Sequence, residues 1–425
     1  MINSAFIESL HFSKDVLHII VIGMLVFFAH FLSLQFSRTN IPDVLVLMLL
    51  GILIGPLLGV VAADDFGKIG SLIATIALVV ILFESGTSLD LNVLGKSLAT
   101  TGWLSFGCFI LTFAVVAIVG YLALDLGILP AMLLGITVGG TSSAVVIPMV
   151  NALKLGEKAT TVLVLESALT DVLCIVGVFA LLQVYTQDDV AAGRLVGGVI
   201  AALVFAAVIG FIGGIGWLLV LGKVRDFPNT ISSTLAYVFI VYGATEGLGF
   251  SGAIAALSLG VTLTNFEKFG LNRIQQLDRQ LEPLNQTDIT FYREAVFLLK
   301  TYFFIYLGIS IHFGAIQVAL VAISMVFLIY ALRLLLTRFI FRGSEFDLRD
   351  SALTAIMAPK GLAAAVLASL PLQYGVVGGE VIRDVTYMVV LVSITLTALL
   401  VIAYPAPLMQ RLFARTLGKP QPHKS

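Results

Sequence analysis

The sequence predicts an all-α polytopic membrane protein of about thirteen transmembrane helices, and three observations carry that prediction. The first is composition. Of 425 residues, 59% are hydrophobic and 12% charged, with a mean hydropathy of +1.07. A soluble domain is closer to about half apolar and about a quarter charged. The second is the run structure, because apolar stretches of spanning length recur along the whole chain, and a helix needs roughly 17–25 such residues to cross a bilayer. The third is the placement of basic residues. Of 24 Lys and Arg, 17 fall in the odd-numbered loops and the C-terminal tail, and 4 in the N-terminus and even-numbered loops. By the positive-inside rule this puts the N-terminus outside and the C-terminus in the cytoplasm, across an odd number of spans.

The spans read in order as 16–34, 42–62, 69–86, 98–123, 129–150, 159–183, 195–221, 230–247, 252–264, 295–311, 315–337, 351–371 and 385–404. The first lacks the basic n-region and small-residue cleavage site of a signal peptide and reads as retained. The ninth is short. Residues 265–294, with Lys268, Arg273, Arg279 and Arg293, read as a long loop or interfacial amphipathic segment, and 405–425 as a short, basic, disordered cytoplasmic tail. A net charge of -1 gives no electrostatic case for nucleic acid. Cys108 and Cys174 both lie inside apolar runs and read as small core residues.

Two spans carry helix-breaking chemistry. The fifth contains Gly139-Gly140-Thr141-Ser142-Ser143 and then Pro148, and the twelfth contains Ala358-Pro359-Lys360-Gly361. Broken backbone inside a bilayer is tolerated only where protein or a water-lined cavity satisfies the freed groups. Breaks at corresponding positions of two halves point to an inverted-repeat transporter with its site near the midplane. On that reading the repeats are about 1–183 and 230–404, six spans each, with the seventh span as linker.

The sixth span holds Glu166-Ser167-Ala168-Leu169-Thr170-Asp171. A charge at the bilayer centre costs about 2.5–3.5 kcal/mol on insertion scales, so such a residue is a functional candidate by default. Ser167 and Asp171 are i,i+4 neighbours on a helix, with Thr170 adjacent. Glu166 sits about 140° around the helix from Asp171, so the two carboxylates have different jobs. Thr141 and Ser142 supply a hydroxyl and freed carbonyls at the fifth-span break, suited to a hard monovalent cation. Arg333, late in the eleventh span, either partners Glu166 or snorkels to the membrane edge. Lys360 compensates a half-helix C-terminal dipole or nearby carboxylates, with a coupling role as the alternative. Glu84 lines a cation entrance or marks a solvated helix end. Glu246 reads as a solvated end, Lys300 as a snorkelling residue with an interior role as the alternative, and His312 as interfacial with pH sensing as the alternative.

Several stretches together carry a family likeness. They are Gly51-Ile52-Leu53-Ile54-Gly55-Pro56-Leu57-Leu58-Gly59, Leu82-Phe83-Glu84-Ser85-Gly86, Thr141-Ser142-Ser143, Glu166-Ser167 with Thr170-Asp171, Arg333, and Pro359-Lys360-Gly361. In this order the chain resembles the monovalent cation/proton antiporter superfamily, the sodium/proton exchangers and Kef-type potassium exchangers, over essentially its whole length. The resemblance implies an antiporter fold with two broken crossing helices. It also implies exchange of Na⁺ or Li⁺ for H⁺ by alternating access at Asp171, with a K⁺/H⁺ exchanger as the alternative. Ser167 and Thr141 match cation-coordinating positions, and Thr170 stands where electroneutral exchangers carry asparagine. Glu166 and Arg333 match a structural ion pair. A homodimer in a prokaryotic inner membrane, with no cofactor beyond the transported ions, is likewise implied. Thr141-Ser142-Ser143 departs from the usual Thr-Asp-Pro, and Lys360 stands where relatives carry arginine, which leaves the ion open. An ion channel, an organic-substrate symporter and an enzyme fit less well, for want of a pore ring, midplane polar groups and a catalytic motif respectively.

Overall fold

A computed structural model describes residues 23–24, 27–31, 41–59, 61–62, 67–87, 89, 91–186, 192–224, 232–271, 284–312, 316–341 and 346–418. Among these residues the regular secondary structure is all helix, without a strand. The helices are α1 (Asp43–Ile52), which runs into a π-helical turn at Leu53–Leu57, α2 (Gly67–Thr87), α3 (Leu91–Ala123), α4 (Ile128–Gly139) and α5 (Ser143–Leu153). Next come α6 (Glu157–Thr186), α7 (Ala192–Val224), α8 (Ser233–Gly247), α9 (Gly252–Thr264), α10 (Gln286–Ile309) and α11 (Ile316–Ile340). The chain closes with α12 (Leu348–Ile356), α13 (Leu362–Leu367), α14 (Leu370–Gln373), α15 (Gly379–Ala403) and α16 (Pro407–Leu417).

Among the described residues, six helical stretches are long and apolar enough to cross a membrane, and shorter apolar helices lie at Asp43–Leu57, Thr75–Thr87, Gly252–Thr264 and Leu362–Gln373. Most of the first span expected at 16–34 lies outside the described residues. Both expected interruptions are present. α4 ends at Gly139 and α5 starts at Ser143; α12 ends at Ile356 and α13 starts at Leu362.

The helices form two packed groups. α3 to α6 gather with α11 to α13 and α15, while α7 to α9 pack with α2. α1 and α10 lie against each other and join the two groups, α10 packing on α2 of the second while α10 reaches α13 and α1 reaches α15 of the first. The α1–α10 contact is backbone on backbone. A Cβ on Gly51 would meet the Gly308 Cα at 2.9 Å and the Ile305 carbonyl closer still. This explains a glycine in the middle of an apolar helix, since small residues let membrane helices approach closely.

Two boundaries differ from the sequence reading. α10 starts at Gln286, inside what reads as loop, because Asn285 and Asp288 form a reciprocal capping box, the Asp288 N–H donating to Asn285 Oδ1 at 2.7 Å. The tail read as disordered instead forms α16, which packs Phe413 and Leu417 onto the ends of α11 and α12. Residues 419–425 lie outside the described residues.

Candidate functional site

The two broken segments meet. Ser142 donates its backbone N–H to the Pro359 carbonyl at 2.8 Å, so backbone groups freed by one break are satisfied by the other. That is what a low-dielectric interior demands of a non-helical segment. Lys360 closes the junction from a buried position. Its Nζ donates to the carbonyls of Gly140 at 2.8 Å and Gly139 at 3.4 Å, at the C-terminal end of α4 where unsatisfied carbonyls concentrate negative partial charge. Its N–H donates to Ser393 Oγ of α15 at 2.9 Å. Gly361 follows directly against the Ser142 hydroxyl, with no room for a Cβ.

α6 runs alongside this junction and presents its polar residues to it. The Thr141 N–H donates to Thr170 Oγ1 at 3.0 Å, and the Gly140 N–H donates to Cys174 Sγ at 3.0 Å. Thr141 Oγ1 lies 3.4 Å from Thr170 Oγ1 and donates to Glu166 Oε1 at 3.5 Å. Thr141 therefore faces the Glu166 side of α6. Ser167 Oγ donates back to the Val164 carbonyl at 3.0 Å. Ser142 Oγ is buried and has no hydrogen-bond partner among the described residues, a condition that costs about 1–3 kcal/mol for a buried polar group.

The two carboxylates of α6 sit in different surroundings. Glu166 is held by both arms of the Arg333 guanidinium, Nη1 on Oε1 and Nη2 on Oε2 at 2.8 Å. Arg333 also donates from Nε to the Thr354 carbonyl at 3.0 Å, tying α11 to the half-helix α12. Asp171 accepts instead from Ser143 Oγ at 2.8 Å, at the first residue of α5, where a helix N-terminus favours an anion. Among the described residues Asp171 takes part in no ion pair. It is 8% exposed, against 1% for Glu166. Ser143 is the contact the sequence reading missed. Its signal was its position, first in the helix after a break.

Other polar residues lie apart from this junction. Glu84 lines a cavity of about 370 Å³ with Thr87, Thr264, Glu267 and Tyr292. Glu246 is exposed in the last turn of α8, and its Oε1 accepts from the Gly252 N–H at 2.8 Å, at the start of α9. Lys300 does not snorkel; it pairs with Asp43 of α1 at 2.9 Å. His312 is exposed at the end of α10, 4.0 Å from Asp384. No cluster of three or more metal-ligating side chains occurs among the described residues.

Comparison with known proteins bears on the family and the fold. The family described as "Sodium/hydrogen exchanger, transmembrane" matches residues 23–402. The Na(+)/H(+) antiporter 1 of Methanocaldococcus jannaschii is 22% identical over 354 residues, covering 78% of this chain and 78% of that protein. The K(+)/H(+) antiporter NhaP2 of Shewanella sp. strain ANA-3 is 24% identical over 370 residues, 84% of this chain. The match spans 61% of the NhaP2 length. The solved structure of the sodium proton antiporter MjNhaP1 from M. jannaschii at pH 8 superposes with a TM-score of 0.69 at 20% identity, over 91% of this chain and 100% of that one. The fold is therefore that of an antiporter.

Proposed function

This chain belongs to the sodium/hydrogen exchanger family, integral membrane cation/proton antiporters, and on that premise we propose that it exchanges one monovalent cation, Na⁺ or Li⁺, for one proton at Asp171. One observation carries the reading. Of two carboxylates five residues apart, Glu166 is neutralised in place by Arg333, while Asp171 has a hydroxyl partner and, among the described residues, no ion pair. A buried carboxylate without a fixed counter-charge must take up a proton or a cation. Only one can occupy it at a time, and that competition is the coupling.

Exchange is electroneutral on this reading, because a single carboxylate binds one positive charge, proton or cation, in either loaded state, so one cation crosses for each proton. The ligand set fits a hard cation: one carboxylate with hydroxyl oxygens from Ser143 and Ser142, the second lacking a partner. Ser167, Thr170 and Thr141 form the surrounding oxygen shell, with Thr141 and Thr170 turned toward Glu166. Lys360 fixes the junction, and Glu84 serves as an accessory group at its own cavity. The helices form two inverted six-span halves, about 1–183 and 230–404, around a linker at about 195–221, in thirteen spans. The N-terminus is outside and the C-terminus cytoplasmic in a prokaryotic inner membrane, with the protein a homodimer. A K⁺/H⁺ exchanger is the second reading, favoured by the NhaP2 relatives at 24% identity.

The test is dequenching of a pH dye in vesicles holding the full chain, with Na⁺, Li⁺ and K⁺ in turn and the potential clamped or free. Asp171→Asn should abolish exchange with every ion. Wild-type proton flux in that variant would sink the assignment, and a rate that follows the clamped potential would sink electroneutrality.

A further inference from the structure

The C-terminal helix α16 has three faces with different chemistry. Met409, Phe413 and Leu417 form the first, with Phe413 and Leu417 buried against the protein. The Phe413 ring packs edge-on to Tyr404 at 6.0 Å. Leu408 and Leu412 form the second, one turn apart and 76% and 50% exposed. Arg411 and Arg415 form the third, exposed and also one turn apart. At about 100° per residue the two leucines lie next to the two arginines and away from the docked face.

The level of this helix follows from its two ends. Its first residue, Pro407, comes four residues after Ala403, where the span α15 finishes. Its C-terminus is pinned by Arg338, in the last turn of the span α11, whose Nη1 donates to the Thr416 carbonyl at 3.0 Å. Both ends of α16 therefore sit where a membrane helix leaves the bilayer, so the helix lies along the membrane surface. Leu335 and Phe339, near the same end of α11, on which α16 packs, are exposed as well, at 52% and 71%. A helix with an apolar stripe beside a basic one, in that plane, suits the boundary between acyl chains and anionic headgroups.

We propose that α16 is a lipid-binding helix, in which Arg411 and Arg415 hold anionic phospholipid headgroups while Leu408 and Leu412 enter the acyl region. Because α16 packs on α11 and α12, the bound lipid reaches the helix group that contains Asp171.

The test uses the full chain in two measurements. A nitroxide is placed at Leu412→Cys, the native Cys108 and Cys174 being buried. In phosphatidylcholine vesicles containing phosphatidylglycerol, oxygen should relax the label more than a water-soluble nickel complex does. Lipid co-purifying in detergent is then weighed by native mass spectrometry. R411Q/R415Q should lower the preference for phosphatidylglycerol over phosphatidylcholine by about tenfold or more, since each arginine at an anionic surface is worth about fivefold. A label that the nickel complex reaches more readily than oxygen overturns the proposal. So does phosphatidylglycerol retention equal to wild type in the double variant. Dipolar broadening that grows with protein concentration would assign this face to a second copy and overturn it as well.

Discussion

Gly361 lies directly against the Ser142 hydroxyl, so the two interruptions of the chain cross at a point without room for a methyl group. The crossing is also hydrogen-bonded, Ser142 N–H to Pro359 carbonyl at 2.8 Å. The junction thus depends on a glycine for close approach and not for an unusual turn, since Gly361 has a negative φ of -153°.

Gly361→Ala should therefore separate the breaks. Overpacking of this kind costs about 1–3 kcal/mol. The thermal midpoint of the variant in detergent should fall and exchange should be lost or nearly so. Gly243→Ala, where an added Cβ meets nothing within 4 Å, is the control. A Gly361→Ala protein with wild-type midpoint and transport would show that the crossing tolerates expansion.

The Glu166–Arg333 pair yields a double-mutant cycle. Both side chains are buried, so Glu166→Gln or Arg333→Met alone strands a charge, at about 3–5 kcal/mol. The double variant E166Q/R333M strands none and should recover much of the lost stability. Its remaining deficit reflects the bonds from Arg333 to the Thr354 carbonyl and Cys108 Sγ. Simple additivity of the two single losses in thermal unfolding would mean that the pair is not coupled.

Lys300 and Asp43 join α10 to α1 at 2.9 Å, with side chains 12% and 8% exposed. The pair lies outside the Asp171 junction, so its role is to hold the α1–α10 contact beside Gly51 and Gly308. Asp43→Asn should lower the thermal midpoint and leave the cation KM unchanged. A shift in KM at unchanged stability would instead bring this pair into the transport path.

How much of this was legible in the sequence follows a physical division. Hydropathy locates helices from α1 to α15, because bilayer burial imposes a length and a polarity on each. Gly139-Gly140 and Pro359-Lys360-Gly361 locate the breaks, because those residues cannot continue a helix without loss. Of the partners across helices, the sequence offered only Arg333 for Glu166. Asp43 opens an apolar run and looks like a boundary residue, and nothing local aims it at Lys300, 257 positions away. The α10 start was readable in principle from the Asn285–Asp288 spacing but is masked by the polar residues before it. The same holds for α16, whose alternation of leucine and arginine reads as a basic tail until Phe413 and Leu417 find their cover.

Ser143 offers the sharpest probe of the proposed exchange site. Its hydroxyl, at the first residue of α5, donates to Asp171 Oδ2 of α6 at 2.8 Å. Among the described residues, Thr141 and Ser142, which precede it, make no bond to Asp171: Thr141 bonds toward Glu166 and Thr170, and Ser142 Oγ has no hydrogen-bond partner. When Asp171 holds a cation, the Ser143 oxygen is placed to face that ion or to keep the carboxylate aimed at it. A hydrogen bond to a charged group is worth about 1.5–3 kcal/mol, so Ser143→Ala should raise the cation KM by roughly tenfold or more while the maximal rate changes little. Ser143→Thr keeps the hydroxyl and should recover part of the affinity. Ser167→Ala serves as the comparison, because Ser167 Oγ is engaged with the Val164 carbonyl at 3.0 Å and its loss should change KM less than that of Ser143. If Ser167→Ala proves the more damaging of the two, with both proteins folded, the cation sits on the Ser167 side of Asp171 and the ligand set proposed here must be redrawn around it.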